Sequence, residues 1–131
     1  MTSAASLLDP AVNAEIYVVS VLGFYTGMPD TPLRANIQDQ RQARRWFDNH
    51  VPLSVVETAL LLASLRRKIR PADVPPLSPV RSLAYFQPVV DELLENPVPA
   101  GYTGYLRLKL RSITDRTTPA NVQKTTFPSD R

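Results

Sequence analysis

Cysteine is absent from the 131-residue chain, and histidine occurs only once. Without a thiol, the protein can form no disulfide, no thiolate metal site and no cysteine nucleophile. The lack of disulfides is typical of proteins in a reducing cytosol, so we expect a cytoplasmic protein. Only 4 glycines are present, against 13 prolines. Few glycines predict few tight hairpins, which argues against an all-β sandwich.

Long apolar runs are also missing. The longest apolar stretch, 16–25, is interrupted by Ser20 and Gly23. It is far shorter than the roughly 20 residues that span a bilayer, so we expect no membrane span. The chain does have a hydrophobic fraction of 44%. That fraction is within the globular range and predicts one folded domain at this length.

Helix-start signals appear early in the chain. Asp9 and Pro10 form a cap followed by a proline, after which a helix can run to about Tyr25. The middle of this segment is rich in β-branched residues and could also form a strand. We predict a helix, because the segment is long and no second strand-like run exists to pair with it. Asn36, with Asp39 three residues later, is a variant of the capping box and predicts the start of a second helix.

A third helix should begin at Pro52, and it is apolar on nearly every side, which is typical of a central helix. It ends in three consecutive cations, and a stiff proline-rich connector follows at 70–79. Ser78 and Pro79 repeat the cap-plus-proline pattern and predict the start of a fourth helix there. Because a proline follows Gln87, we expect a kink or a break at that residue.

Residues 105–111 alternate leucine with basic residues, a period of two that favours an exposed strand. A single strand would have no partner here, so we predict a short helix over 102–113 instead. The last residues, 114–131, are polar and predict a disordered tail. Together these patterns predict an all-α fold, a compact bundle of four to five helices over 9–113. A flexible N-terminus at 1–8 would precede the bundle.

The sequence offers little for catalysis. His50 follows a predicted helix, where an imidazole suits the exposed carbonyl groups. Asp91 and Glu95 share a helix face and could form an acid–base pair, but a solvated acidic face is far more common. The glycines are scattered, and no spacing of His, Asp and Glu indicates a metal site. We therefore expect a protein that is not an enzyme and that binds no cofactor and no metal.

Positive charge is grouped at 41–45, 66–70 and 107–111, although the net charge is only +3. Such groups can contact nucleic-acid phosphates and give affinity without sequence readout. For the first group, a solvated helix face is the more ordinary explanation. Cations in a last helical turn, as in the second group, also offset the helix dipole. The candidate phosphate contacts are Arg41, Arg45, Arg66, Arg67, Lys68, Arg107, Lys109 and Arg111.

Aromatic and apolar residues near the C-terminus offer a different interpretation. Trp46, Phe47 and Phe86 are expected in the core, whereas Tyr85 could lie at its rim. The alternating segment could instead dock on another protein or, less plausibly, on anionic lipid, together with part of the first helix. The candidate residues for such an interaction are Tyr102, Tyr105, Leu106, Leu108 and Leu110.

The order of features is also informative. The turn FYTGMPDTP precedes a tryptophan-bearing helix, which is followed by VPLSVVETALLLASLRR and then by SLAYFQPVVDELL. This order resembles the helical C-terminal domain of DnaD-like primosome proteins and phage replisome organisers, over roughly residues 16–95. The chain differs from that pattern in its proline-rich connector and in having no tryptophan in the last of these helices. The resemblance implies a non-enzymatic role in bacterial, phage or plasmid DNA replication, with DNA and replication proteins as partners.

We therefore predict an accessory domain associated with DNA replication or a mobile element, which binds nucleic acid non-specifically through basic helix surfaces. The alternative is a protein–protein interaction or oligomerisation module that binds no nucleic acid, with another protein or a second copy of the chain as its partner.

Overall fold

The computed structural model describes residues 10–71, 73–75 and 77–117. Regular structure in this part of the chain is entirely helical, which confirms the predicted all-α bundle. The predicted flexible N-terminus and the tail beyond Thr117 lie outside the described residues. The elements are α1 (Pro10–Thr26), α2 (Ile37–Asp48), α3 (Leu53–Lys68), a 3₁₀ turn (Leu83–Phe86), α4 (Gln87–Glu95) and α5 (Tyr102–Thr117).

Helix α3 lies at the centre of the bundle, as its sequence predicts. It packs against α1, α4, α5 and the 3₁₀ turn, and its segment from Thr58 to Leu65 is entirely buried. Helix α5 packs against α3. The hydroxyl of Thr103 meets that of Thr58 near one end, and Leu110 and Leu61 line a common pocket further along.

Helix α2 begins with the predicted capping box. The Asn36 side chain accepts a hydrogen bond of 2.9 Å from the backbone of Asp39, and the Asp39 carboxylate accepts one of 3.0 Å from the backbone of Asn36. The second oxygen of Asp39 accepts a 3.0 Å hydrogen bond from the backbone N–H of Leu83. These bonds satisfy a carboxylate that is almost fully buried. They also tie the start of α2 to the 3₁₀ turn.

The chain changes from the 3₁₀ turn to α4 at Gln87, the residue where a break was predicted. The predicted start of this region at Ser78 is wrong. The backbone N–H of Val80 donates a 2.8 Å hydrogen bond to the carbonyl of Asp30, which holds this segment in a non-helical conformation against the α1–α2 loop. Ser82 is the cap instead, and its hydroxyl accepts a hydrogen bond from the backbone of Ala84.

Helix α5 is present as predicted but continues to Thr117, past the position where the tail was expected to begin. Because α5 is a helix, its leucines do not all lie on one face. Leu106 and Leu110 face α3 and are buried, whereas Tyr105 and Leu108 are 55% and 66% exposed. Two of the five residues of the predicted interaction surface, Leu106 and Leu110, are therefore core residues. A period of two, as in a strand, would instead have placed Leu106, Leu108 and Leu110 on one face.

The predicted aromatic core is present in its main parts. Trp46 and Phe86 are buried, while Tyr85 is 45% exposed. Phe47 is partly buried and packs edge-to-face against Tyr17 on α1. The Trp46 indole donates a 2.8 Å hydrogen bond to the side-chain oxygen of Gln87. Helix α2 is thereby fixed to the start of α4.

Candidate functional site

Arg67, at the end of α3, is bound within the fold rather than presented to solvent. Its side chain is only 7% exposed, and its guanidinium lies 3.6 Å from the carboxylate of Asp30. It donates a hydrogen bond of 2.8 Å to the carbonyl oxygen of Ser78 and one of 3.2 Å to the hydroxyl of Tyr85. The guanidinium also lies over the Tyr85 ring. Since a buried charge needs such partners, Arg67 is a structural residue that joins the connector to the α1–α2 loop. It was predicted to contact phosphate, and in this conformation it is enclosed.

The two neighbours of Arg67 also face carboxylates. Arg66 forms two parallel hydrogen bonds of 2.9 and 2.7 Å with Glu92 on α4, and these bonds lower the pKa of the Glu92 carboxyl. Lys68 lies 3.6 Å from Asp30, which it shares with Arg67. Much of the positive charge of this segment is therefore compensated inside the molecule.

The basic residues of α5 are divided between two sides of the helix. Arg107 and Arg111 are one turn apart on the same side of the helix. Successive residues of a helix are rotated by about 100° about its axis, so Lys109, two residues from each arginine, lies about 160° to 200° around the helix from both. Arg107 forms an ion pair with Glu57 of α3. Arg111 is exposed, and no ion pair joins it to the side chains that the structure describes, which end at Thr114.

Arg107 and Arg111 border a shallow pocket of about 330 Å³ between α5 and the α1–α2 loop. Its floor is apolar, formed by Leu61 and Leu110, and Met28 closes one side. The pocket therefore combines an apolar base with two guanidinium groups at its edge. That combination suits an anionic group attached to a flat or apolar body.

Arg41 and Arg45 lie elsewhere, on α2. Arg45 donates a 3.1 Å hydrogen bond to the side chain of Gln42, and Arg41 borders a groove between α1 and α2. Helix α2 packs mainly on α1 and α5 mainly on α3, so the two basic segments lie on different sides of the bundle. Arg41 and Arg45 are thus separated from the predicted phosphate contacts on α5.

The groove between α1 and α2 was not singled out from the sequence, beyond the suggestion that part of the first helix could dock. Its volume is about 540 Å³, and Val18, Val19 and Leu22 form the α1 side. Ile37 and Arg41 lie on the α2 side. The signal available in the sequence was that α1 contains a single charged residue, Glu15, in 17 positions.

A cleft of about 510 Å³ between the start of α3 and the 97–101 loop is lined by apolar and hydroxyl side chains, with no acid, base or thiol among them. His50 is exposed and isolated after α2, in a left-handed conformation with φ of 61°. The described part of the chain contains no cluster of His, Asp and Glu that could hold a metal ion. Within the same residues, no helix is both long and apolar enough to cross a membrane.

Comparisons with known proteins give no relative. No family model, no curated protein and no solved structure matches this chain. The resemblance to DnaD-like domains therefore stays a prediction from the order of sequence features.

Proposed function

We propose that this domain binds the phosphate backbone of nucleic acid without reading the bases, as an accessory component of DNA replication or of a mobile element. The observation that carries the proposal is the pair Arg107 and Arg111 at the edge of one pocket. Phosphate contacts of this kind fix a protein on nucleic acid but carry no sequence information. The association with replication rests on the resemblance drawn from the sequence.

The ion pair between Arg107 and Glu57 does not prevent this role. The Arg107 side chain is 49% exposed, and exposed ion pairs contribute only about 0 to 1 kcal/mol. Arg107 can therefore exchange Glu57 for a phosphate at low cost. Arg111 is exposed at the edge of the same pocket, and no carboxylate up to Thr114 holds it among the described side chains.

Lys68 extends the same surface. Met28 and Pro29 line the pocket, and the next residue along the chain, Asp30, holds Lys68. Lys68 thus lies beside the loop that closes the pocket, and its side chain is partly exposed. We take Lys68, Arg107 and Arg111 as the phosphate-binding surface, and we exclude Arg67 because it is enclosed.

Charge reversal tests this assignment. A double variant, Arg107→Glu with Arg111→Glu, should lose binding to labelled duplex and single-stranded DNA in fluorescence anisotropy at low salt. Arg45→Glu is the matched control, because it reverses an exposed arginine on α2 and should weaken binding only slightly. Because each reversal changes the charge by −2, the control also carries Arg44→Glu, so that both proteins differ from the wild type by the same charge. Equal losses in the two proteins would then mean that binding follows overall charge and not this pocket. Reversing Arg66 and Arg67 is not a clean test, since Arg67 holds several parts of the fold together.

The alternative function, an interaction or oligomerisation module, is favoured by a different observation. Tyr105 and Leu108 are the exposed members of the predicted α5 surface, and they form only a small patch. A larger uncovered apolar surface lies on α1, at the groove with α2. That surface is on another part of the molecule, so it can serve a partner whether or not α5 binds nucleic acid.

A further inference from the structure

Helix α1 is apolar on both of its faces. Val21 and Tyr25 are fully buried on the inner face, whereas Ile16 and Val19 on the outer face are 57% and 69% exposed. A helix that is apolar all round is normally covered on all sides. In this chain the outer face is left uncovered by the described residues.

Gly23 lies on the same outer face, four residues after Val19. A Cβ atom added at this position would meet nothing within 4 Å, so packing among the described residues gives no reason for a glycine. A glycine inside a helix costs about 1 kcal/mol relative to alanine. Close approach of another backbone is an established reason for accepting that cost.

The charges around the groove between α1 and α2 indicate what kind of partner covers this surface. Glu15 lies on the α1 side and Arg41 on the α2 side of the same groove. Arg41 forms no ion pair with the described residues, whereas its neighbour Arg44 is bound to Asp48 at 3.1 Å. One edge of the surface is therefore acidic and the opposite edge is basic.

A surface of this kind is complementary to itself. In a two-fold symmetric dimer, the same patch of each copy meets its equivalent, so residues on one edge face residues on the other. We propose that a second copy of this chain covers the outer face of α1, with Glu15 of each copy facing Arg41 of the other. Val19 and Leu22, which line the groove between the two charges, lie at the centre of the contact, and Ile16 and Gly23 extend it along the outer face of α1.

The expected dimer is weak. Helix α1 is about 25 Å long, so a strip two helices wide offers roughly 500 Å² per copy. Stable protein interfaces bury about 800 Å² per partner. We therefore expect dissociation in the micromolar range, and not an obligate dimer.

A charge-swap experiment tests both the dimer and its orientation. Sedimentation velocity should show wild-type protein shifting from monomer to dimer between low and high micromolar concentrations. Glu15→Arg alone and Arg41→Glu alone should stay monomeric at those concentrations, because each places like charges opposite one another. Mixed in equal amounts, the two variants should form a one-to-one dimer, since both contacts are then again between opposite charges. Circular dichroism checks that each variant is folded.

Two results would overturn the proposal. One is a wild-type protein that stays monomeric at several hundred micromolar. The other is a dimer that both single variants form as readily as the wild type, which would place the contact elsewhere. Cysteine cross-linking gives a second measurement, because the chain contains no cysteine. Val19→Cys should form a disulfide-linked dimer under mild oxidation faster than Leu108→Cys, which places the thiol on the exposed side of α5, and equal rates would contradict the proposed contact.

Discussion

The hydroxyl of Tyr17 donates a 2.7 Å hydrogen bond to the carbonyl oxygen of Val51, which joins the middle of α1 to the turn between α2 and α3. Tyr25, further along the same helix, has a fully buried ring, and its hydroxyl has no hydrogen-bond partner among the described residues. Two tyrosines of one helix therefore differ in whether their hydroxyl group is satisfied.

This difference predicts opposite effects of one substitution. Tyr17→Phe removes a buried hydrogen bond and leaves a carbonyl unpaired, which should lower the free energy of unfolding by about 1 kcal/mol. Tyr25→Phe removes an unpartnered hydroxyl and should leave stability unchanged or slightly raised. Urea denaturation of the two variants measures both values. Equal losses would mean that the Tyr25 hydroxyl is also satisfied in solution.

The same tyrosines predict a loss of stability at alkaline pH. Burial raises the pKa of Tyr17 to about 12, and burial together with the Asp39 carboxylate raises that of Tyr25 to about 12. In the unfolded chain a tyrosine titrates near pH 10. Between about pH 10 and pH 12 the unfolded state therefore ionises first, and the free energy of unfolding falls. The protein with both tyrosines replaced by phenylalanine should lose less stability over this interval, and an unchanged pH dependence would contradict the prediction.

Replacing His50 with glycine should stabilise the protein. Its φ of 61° lies in the left-handed region, which is unfavourable for a side chain by about 1 to 2 kcal/mol. We expect His50→Gly to raise the free energy of unfolding by about 0.5 to 1 kcal/mol, part of the gain being offset by the flexibility of glycine in the unfolded chain. Asp30, with φ of 66°, is the matched control. Asp30→Gly should not stabilise the protein, because it also removes the carboxylate that holds Arg67 and Lys68.

Adjacent arginines at the end of α3 should respond very differently to removal. Arg67→Ala eliminates hydrogen bonds to Ser78 and Tyr85 from an enclosed cation, and we expect a loss of about 2 to 3 kcal/mol. Arg66→Ala breaks an exposed ion pair with Glu92 and should cost at most about 1 kcal/mol. Urea unfolding curves of the two variants provide the comparison. A larger loss in Arg66→Ala than in Arg67→Ala would reverse the roles assigned here.

Local signals in the sequence were sufficient where the structure depends on neighbouring residues. The capping box of Asn36 and Asp39 predicts the start of α2 because both partners lie within one turn. The predicted helix start at Ser78 fails for the opposite reason. A cap and a proline are present there, but the segment is held by Asp30 and Arg67, which are distant in sequence.

In the candidate site, too, the sequence shows one part of the arrangement and only the fold shows the other. The basic residues of 66–70 and 107–111 are visible in the sequence, but the acids that face them are not. Glu92 is 26 residues from Arg66, and Glu57 is 50 residues from Arg107. Only the folded chain shows which cations are compensated. The alternation in 105–111 was also ambiguous, because only packing on α3 decides which leucines are buried.

The most direct test of nucleic-acid binding is the salt dependence of the dissociation constant, measured by fluorescence anisotropy with a labelled DNA duplex. The titration uses the wild-type protein, because Glu15→Arg would add a cation and change the slope itself. Three phosphate contacts predict a slope of about −3 for the logarithm of the binding constant against the logarithm of salt concentration. A slope near −7 would instead indicate that all eight basic residues contact phosphate. No binding by the wild-type protein even at low salt would contradict the proposal, and the interaction surface on α1 would then be the better explanation of what the domain does.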